Sequence, residues 1–185
     1  YKILFFHAPS AYAMYIGFSL CVLGSIMYLA KRSDAWESVA VAGAEVGLVF
    51  AMIVLITGPL WARKAWGVWW QWDARLTSTL VLWLLFSAYL LLRRFGGPGT
   101  EKLAAGVALF GMANVPFIYW SVNVWRTMHP KTTVVPSLVP EMRFPFYWCV
   151  VAFLLLFIAL LRTRVRLAEQ QDALERGGSA AKVTA

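Results

Sequence analysis

The sequence predicts an all-α integral membrane protein, and three observations carry that prediction. Of its 185 residues, 61% are hydrophobic and only 14% charged, whereas a soluble domain carries about a quarter charged residues and under half apolar ones. The apolar residues gather into five runs long enough to cross a bilayer as helices. The segments between and after those runs hold nearly all the charge and an unusual density of tryptophan. In lipid an apolar exterior carries no penalty, but every backbone polar group must be satisfied within a helix or a closed barrel. Disorder, a disulfide scaffold and most soluble enzymes are thereby excluded.

Residues 11–30, AYAMYIGFSLCVLGSIMYLA, carry no charge over a length of about 30 Å as a helix. Residues 38–60 form the second span, interrupted only by Glu45, with Thr57-Gly58-Pro59 as its expected terminator. Residues 76–92 make a shorter third, closed by Arg93-Arg94 and the breaker run Gly96-Gly97-Pro98-Gly99. Residues 103–121 make the fourth, with Asn114 and Pro116 inside it; the proline is expected to kink it, and both residues to shape packing. Residues 144–161 make the fifth, and the polar stretch 162–185 reads as a short exposed helix passing into disorder. Residues 1–161 therefore form one polytopic domain and 162–185 a cytoplasmic tail. Five spans leave the visible N-terminus outside, and a sixth helix before Tyr1 would return the start of the complete chain to the cytoplasm. A longer gene product without an upstream apolar stretch would refute that expectation.

Alternation of sides sorts the loops. One face holds Lys2, Arg63, Lys64, Arg75, Arg126, Lys131 and Arg143, seven of the 17 cations, and the other holds the remaining ten. The ten hug helix ends in short loops and in the tail, as expected of the cytoplasmic side. Arg162, Arg164 and Arg166 are expected to meet anionic lipid headgroups. The net charge of +8 is thus largely topology, and nucleic acid is not an expected partner. Cys21 and Cys149 lie apart in apolar runs and read as buried free thiols. Glu45 lies about 10 Å into its span by helix rise. An acid at that depth is either functional, or snorkelling, or neutral and hydrogen-bonded.

The outer face concentrates the chemistry. Both histidines of the chain, His7 and His129, fall there, each just beyond an expected helix end. So does the external segment 61–75, WARKAWGVWWQWDAR, with Trp61, Trp66, Trp69, Trp70 and Trp72, half of the ten tryptophans. On a helix, Trp66, Trp69, Trp70 and Asp73 fall at i, i+3, i+4 and i+7, one continuous face. An interfacial tryptophan belt would look similar, and each histidine alone is explained by a hydrogen-bonded interfacial residue. Taken together, the features point elsewhere. Two neutral imidazoles from separate segments can fill both axial positions of a haem iron, an aromatic shelf can cover the macrocycle, and arginines on the same face can pair with its propionates.

The run Trp66 to Thr77, WGVWWQWDARLT, resembles the tryptophan-rich WWD signature of haem-handling membrane proteins. Its continuation Asp73-Ala74-Arg75-Leu76-Thr77-Ser78 is similar to the CcmC type of cytochrome c maturation. HAPSAY at His7, TGPLW ahead of the loop, and VNVWRTMHP ending at Pro130 fit the same family, so the resemblance covers most of the chain. It implies a carrier, not an enzyme. Such a protein holds haem at the outer face of the bacterial inner membrane and promotes its attachment to the periplasmic chaperone CcmE. CcmA and CcmB, an ABC-transporter pair, and the small protein CcmD are the implied partners. Carried over by position, His7 and His129 are the implied axial ligands of a non-covalent haem b. Trp61, Trp66, Trp69, Trp70, Trp72 and Asp73 form the implied platform. Arg75, ahead of Arg126 and Arg143, is the implied propionate or partner contact.

Two other classes compete. A membrane cytochrome b carrying electrons also uses paired histidines, but within helices at membrane depth, whereas these stand near Pro9 and Pro130 at loop ends. A haem-attaching cytochrome c synthase subunit needs a larger chain with a site for its apoprotein. No P-loop occurs, so any ATPase is a separate subunit.

Overall fold

The computed structural model describes residues 2–125, 127, 129 and 135–183, apart from the side chains of 172 and 175–183. They form five helices: α1 (Leu4–Lys31), α2 (Asp34–Trp66), α3 (Ala74–Phe95), α4 (Glu101–Val124) and α5 (Pro140–Val183). Each is long and apolar enough to cross a membrane, and no strand occurs among the described residues. This is the all-α membrane architecture that composition requires.

The helices run past several expected ends. α1 starts at Leu4, so His7 lies inside its first turn and not beyond a helix end. α2 continues through Thr57-Gly58-Pro59 to Trp66. Proline removes one N–H from the helical ladder, but a membrane helix tolerates this where neighbouring groups satisfy the freed carbonyl. The true terminator is Gly67, whose left-handed φ of 80° lets its N–H close on the Arg63 carbonyl at 3.1 Å. Trp61 and Trp66 therefore stand on α2 and not in a loop. Asp73 then starts α3, its carboxylate accepting from the Leu76 N–H at 2.8 Å. Residues 67–73 are non-helical, which removes the single aromatic helix face expected from the Trp66, Trp69, Trp70, Asp73 spacing. α5 passes without a break through residue 162 to Val183, so the expected tail continues the fifth span.

Helices α1 to α4 close a ring in which α1 touches α2 and α4, and α3 touches α2 and α4, while α5 lies against α1 and α2. Half of the apolar window of α2 is buried against 11% for α5, so α2 is central and α5 peripheral. The α1–α2 contact is made backbone to backbone. A Cβ placed on Gly17 would stand 2.7 Å from Gly47 Cα, and one on Gly43 would stand 2.8 Å from the Gly17 carbonyl oxygen. Such small-residue seams are how helices approach closely in lipid, where packing replaces the hydrophobic effect as the driving force. Beside the seam, Phe18 stacks on Phe86 of α3 with ring centroids 3.8 Å apart and planes within 7°.

Polar side chains fasten the remaining pairs. Asn114 on α4 donates to the Ser78 carbonyl on α3 at 2.9 Å. Glu37 on α2 pairs with Arg93 on α3. Glu45, open between three readings in sequence, meets Arg164 of α5 in a two-pronged pair, with Nη2 to Oε1 at 2.9 Å and Nε on Oε2. Arg164 is thereby turned toward its own bundle.

Candidate functional site

Alternating helix direction brings the start of α1, the end of α2, the start of α3 and the connection after α4 to one end of the bundle. A cleft opens there, with about 800 Å³ of empty space including its mouth. His7, Trp61, Trp66, Trp70, Asp73, Arg75 and His129 all line it. Seven of the eleven residues singled out from sequence, drawn from four segments, share one wall-to-wall space.

The two imidazoles face each other across it, with ring centroids 6.4 Å apart and planes inclined by 39°. A metal bound between two imidazoles at about 2 Å each, with ring centres about 1 Å further back, separates the centroids by about 6 Å. The observed spacing leaves room for a metal between the two rings. No group of three or more His, Cys, Asp or Glu side chains converges among the described residues, as a bare ion of the zinc kind would need. Two imidazoles alone suit a metal that brings its remaining ligands with it, as a porphyrin does.

Asp73 joins the two halves of the site. While one carboxylate oxygen caps α3, the other accepts from the Thr127 hydroxyl, and Thr127 Oγ1 in turn accepts from the His129 N–H at 3.0 Å. The loop bearing His129 is thus tied to the tryptophan segment through one carboxylate. His7 is held from α2, its Nδ1 lying 2.9 Å from Thr57 Oγ1.

Two donors on cleft-lining residues remain unanswered. Arg75 Nη1 and Trp70 Nε1 are buried atoms without a hydrogen-bond partner among the described residues. A buried polar atom left so is costly, and both belong to residues lining the same space. An acidic ligand with acceptor oxygens would satisfy them. The imidazole spacing, the apolar rings and the orphan donors together fit a haem.

The other expected residues lie elsewhere. Trp69 is 57% exposed, with the Arg63 guanidinium 5.9 Å from its ring centre. Trp72, 77% exposed, packs edge-on against Trp70 at 5.7 Å and faces an apolar groove on the outside of the bundle with Met52, Ile56 and Trp83. The five tryptophans are therefore split, three lining the cleft and two outside it. Arg143 donates through Nε to the Leu138 carbonyl at 2.8 Å, occupied with the approach to α5 and not with the cleft. Arg126 lies outside the described residues. Sequence reasoning missed Thr57 and Thr127, hydroxyls whose one-turn or two-residue spacing from other site residues gives no signal before the chain is folded.

The sequence profile of the CcmC family, described as Heme exporter protein C, matches residues 1–177. The chain belongs to the CcmC family. It is 39% identical over 170 residues to Heme exporter protein C of Escherichia coli (strain K12), covering 90% of this chain and 69% of that relative. Similarity to the protein of the same name from Bradyrhizobium diazoefficiens is 35% over 187 residues, 93% of this chain and 71% of the relative. The Paracoccus denitrificans protein of that name is 34% identical over 174 residues, 89% and 71% of the two chains. Membership in the CcmC family and five spanning helices make this chain a multi-pass membrane protein, and the matched region takes in the whole cleft.

Proposed function

We propose that this chain holds one haem b non-covalently between His7 and His129 and presents it, at the periplasmic face of a bacterial inner membrane, for covalent attachment to the chaperone CcmE during cytochrome c biogenesis. CcmA, CcmB and CcmD are its proposed partners in a transporter-linked complex. The observation that carries the reading is the 6.4 Å separation of the only two histidine rings in the chain. Membership in the CcmC family supports it, and the cation asymmetry supports the outward placement.

The division of labour follows from the residues. His7 and His129 would hold the haem iron between them, an arrangement that suits storage rather than oxygen activation. Trp61, Trp66 and Trp70 exclude water from the cleft, and Arg75 with the Trp70 indole N–H offers donors to carboxylates. Asp73 holds the two ligand-bearing segments in register. Bound haem supplies the vinyl group at which attachment occurs. A cleft fixed at one edge and open at its mouth can place that group against a docked partner, and such placement removes much of the entropic barrier to bond formation. Both histidines sit at the end of the bundle, one in the first turn of α1 and the other in the connection after α4, which disfavours an electron carrier with haem at membrane depth.

The optical spectrum of the purified protein tests the proposal. A low-spin haem spectrum lost on His7→Ala and on His129→Ala is the expected outcome; a haem band unchanged by both substitutions rejects the ligation.

A further inference from the structure

Thr57 has no assigned role, yet its hydroxyl is the hydrogen-bond partner of His7. Its Oγ1 lies 2.9 Å from His7 Nδ1 and 2.7 Å from the carbonyl of Ile53, one turn back on α2. A hydroxyl carries one proton and two lone pairs. The Ile53 carbonyl can only accept, so the Thr57 proton goes to it, and toward His7 the oxygen has only a lone pair to offer. His7 Nδ1 must then carry the ring proton. We propose that Thr57 is a positioning residue that fixes His7 as the Nδ1–H tautomer, leaving the Nε2 lone pair as its only metal-binding atom. This rests on the reading of His7 as a haem ligand for its consequence, but not for the tautomer itself.

Two further features support the assignment. The two partners sit on α1 and α2, the helices whose glycine seam brings their backbones closest, and the distance between them is set by packing. Neutral imidazole with one nitrogen donating and the other bare is the form a metal ligand takes, and a hydrogen bond from the donating nitrogen both orients the ring and makes the ligand more basic. A more basic axial ligand favours the ferric state.

The test uses the full chain in detergent or nanodiscs, labelled with ¹⁵N-histidine. Only two histidines occur, so His129→Ala assigns both sets of ring signals. Expected are an Nδ1–H tautomer for His7 in the haem-free protein, and loss of that single tautomer in Thr57→Val, which keeps the shape and removes the acceptor. Thr57→Ser should keep it. On titration with haem b, Thr57→Val should bind about tenfold to a hundredfold more weakly with a raised midpoint potential, while Thr57→Ser matches the parent. An Nε2–H tautomer in the parent, or unchanged tautomer, affinity and potential in Thr57→Val, overturns the proposal. Equal losses in the Val and Ser variants with a lowered unfolding temperature also overturn it, in favour of a packing role. If instead the Nδ1–H tautomer depends on Thr57 but haem binding ignores His7→Ala, the tautomer assignment stands and the ligation reading falls.

Discussion

At the residue scale, the cleft separates side chains that look alike in sequence. Trp69 and Trp70 are neighbours in the chain, but of the two only Trp70 lines the cleft, and its indole N–H is buried without a partner among the described residues. Trp70→Ala should therefore lower haem retention while Trp69→Ala leaves it near the parental level, both variants inserting normally; retention unaffected by Trp70→Ala would remove the platform. Arg75 is the other orphan donor. A hydrogen bond to a charged group contributes about 1.5–3 kcal/mol, so Arg75→Gln should weaken haem binding by about tenfold to a hundredfold in an absorbance titration. Arg143→Gln, whose parent donates to the Leu138 carbonyl, should not. The histidine pair and the tryptophan cluster were legible before folding because both residue types are rare and unevenly placed. Which of the tryptophans face inward was not, because that depends on Gly67 ending α2 and turning residues 67–73 out of helical register.

At the element scale, the five spans were legible because length and apolarity alone define them, and their ends were not. Thr57-Gly58-Pro59 reads as the end of the second span, yet α2 runs on through Pro59 to Arg63, Lys64 and Trp66, where Gly67 supplies the left-handed cap. The fasteners between helices were equally hidden, since a single Asn or Glu in an apolar run does not name its partner. Asn114→Leu removes the donor to the Ser78 carbonyl and should cost about 1 kcal/mol, in line with interhelical hydrogen bonds in membranes, measured by unfolding in mixed detergent. For the Glu45–Arg164 pair, losing one partner strands a charge at the α2–α5 contact. Glu45→Leu alone should consequently lower the unfolding midpoint more than the double variant Glu45→Leu/Arg164→Leu. A double variant at least as destabilised as the single one would show that the pair is not coupled.

At the scale of the whole molecule, the site exists only because four segments end on the same side of the bundle. Ligand binding then stabilises the entire helix ring, since no one segment forms the cleft by itself. Saturating haem at about a hundred times its dissociation constant should add about 2.7 kcal/mol of stability, seen as a raised thermal midpoint. That gain should vanish in His7→Ala and persist in Asn114→Leu. Orientation is a second whole-molecule property, and the charge pattern of the sequence predicts it, with seven cations on the expected outer side and ten on the expected cytoplasmic side. A cysteine introduced at Lys2 should react with a membrane-impermeant maleimide from outside intact spheroplasts, and one at Gly97 should not; the reverse pattern would invert the topology.

The glycine seam between α1 and α2 also makes the bundle a lever. Gly24 lies 17 residues from His7 on the same continuous helix, about 25 Å away by helix rise. A Cβ there would stand 2.7 Å from the Ala40 backbone nitrogen. Since neither backbone can yield locally, a methyl group added at that far end must act as a wedge and tilt α1 against α2. The His7–Thr57 hydrogen bond, spanning the same two helices, is where such a tilt would be felt most acutely. Gly24→Ala, remote from any ligand, should therefore broaden or shift the haem absorption bands at the opposite end of the molecule, whereas a spectrum identical to the parent's would show that the two ends are mechanically independent.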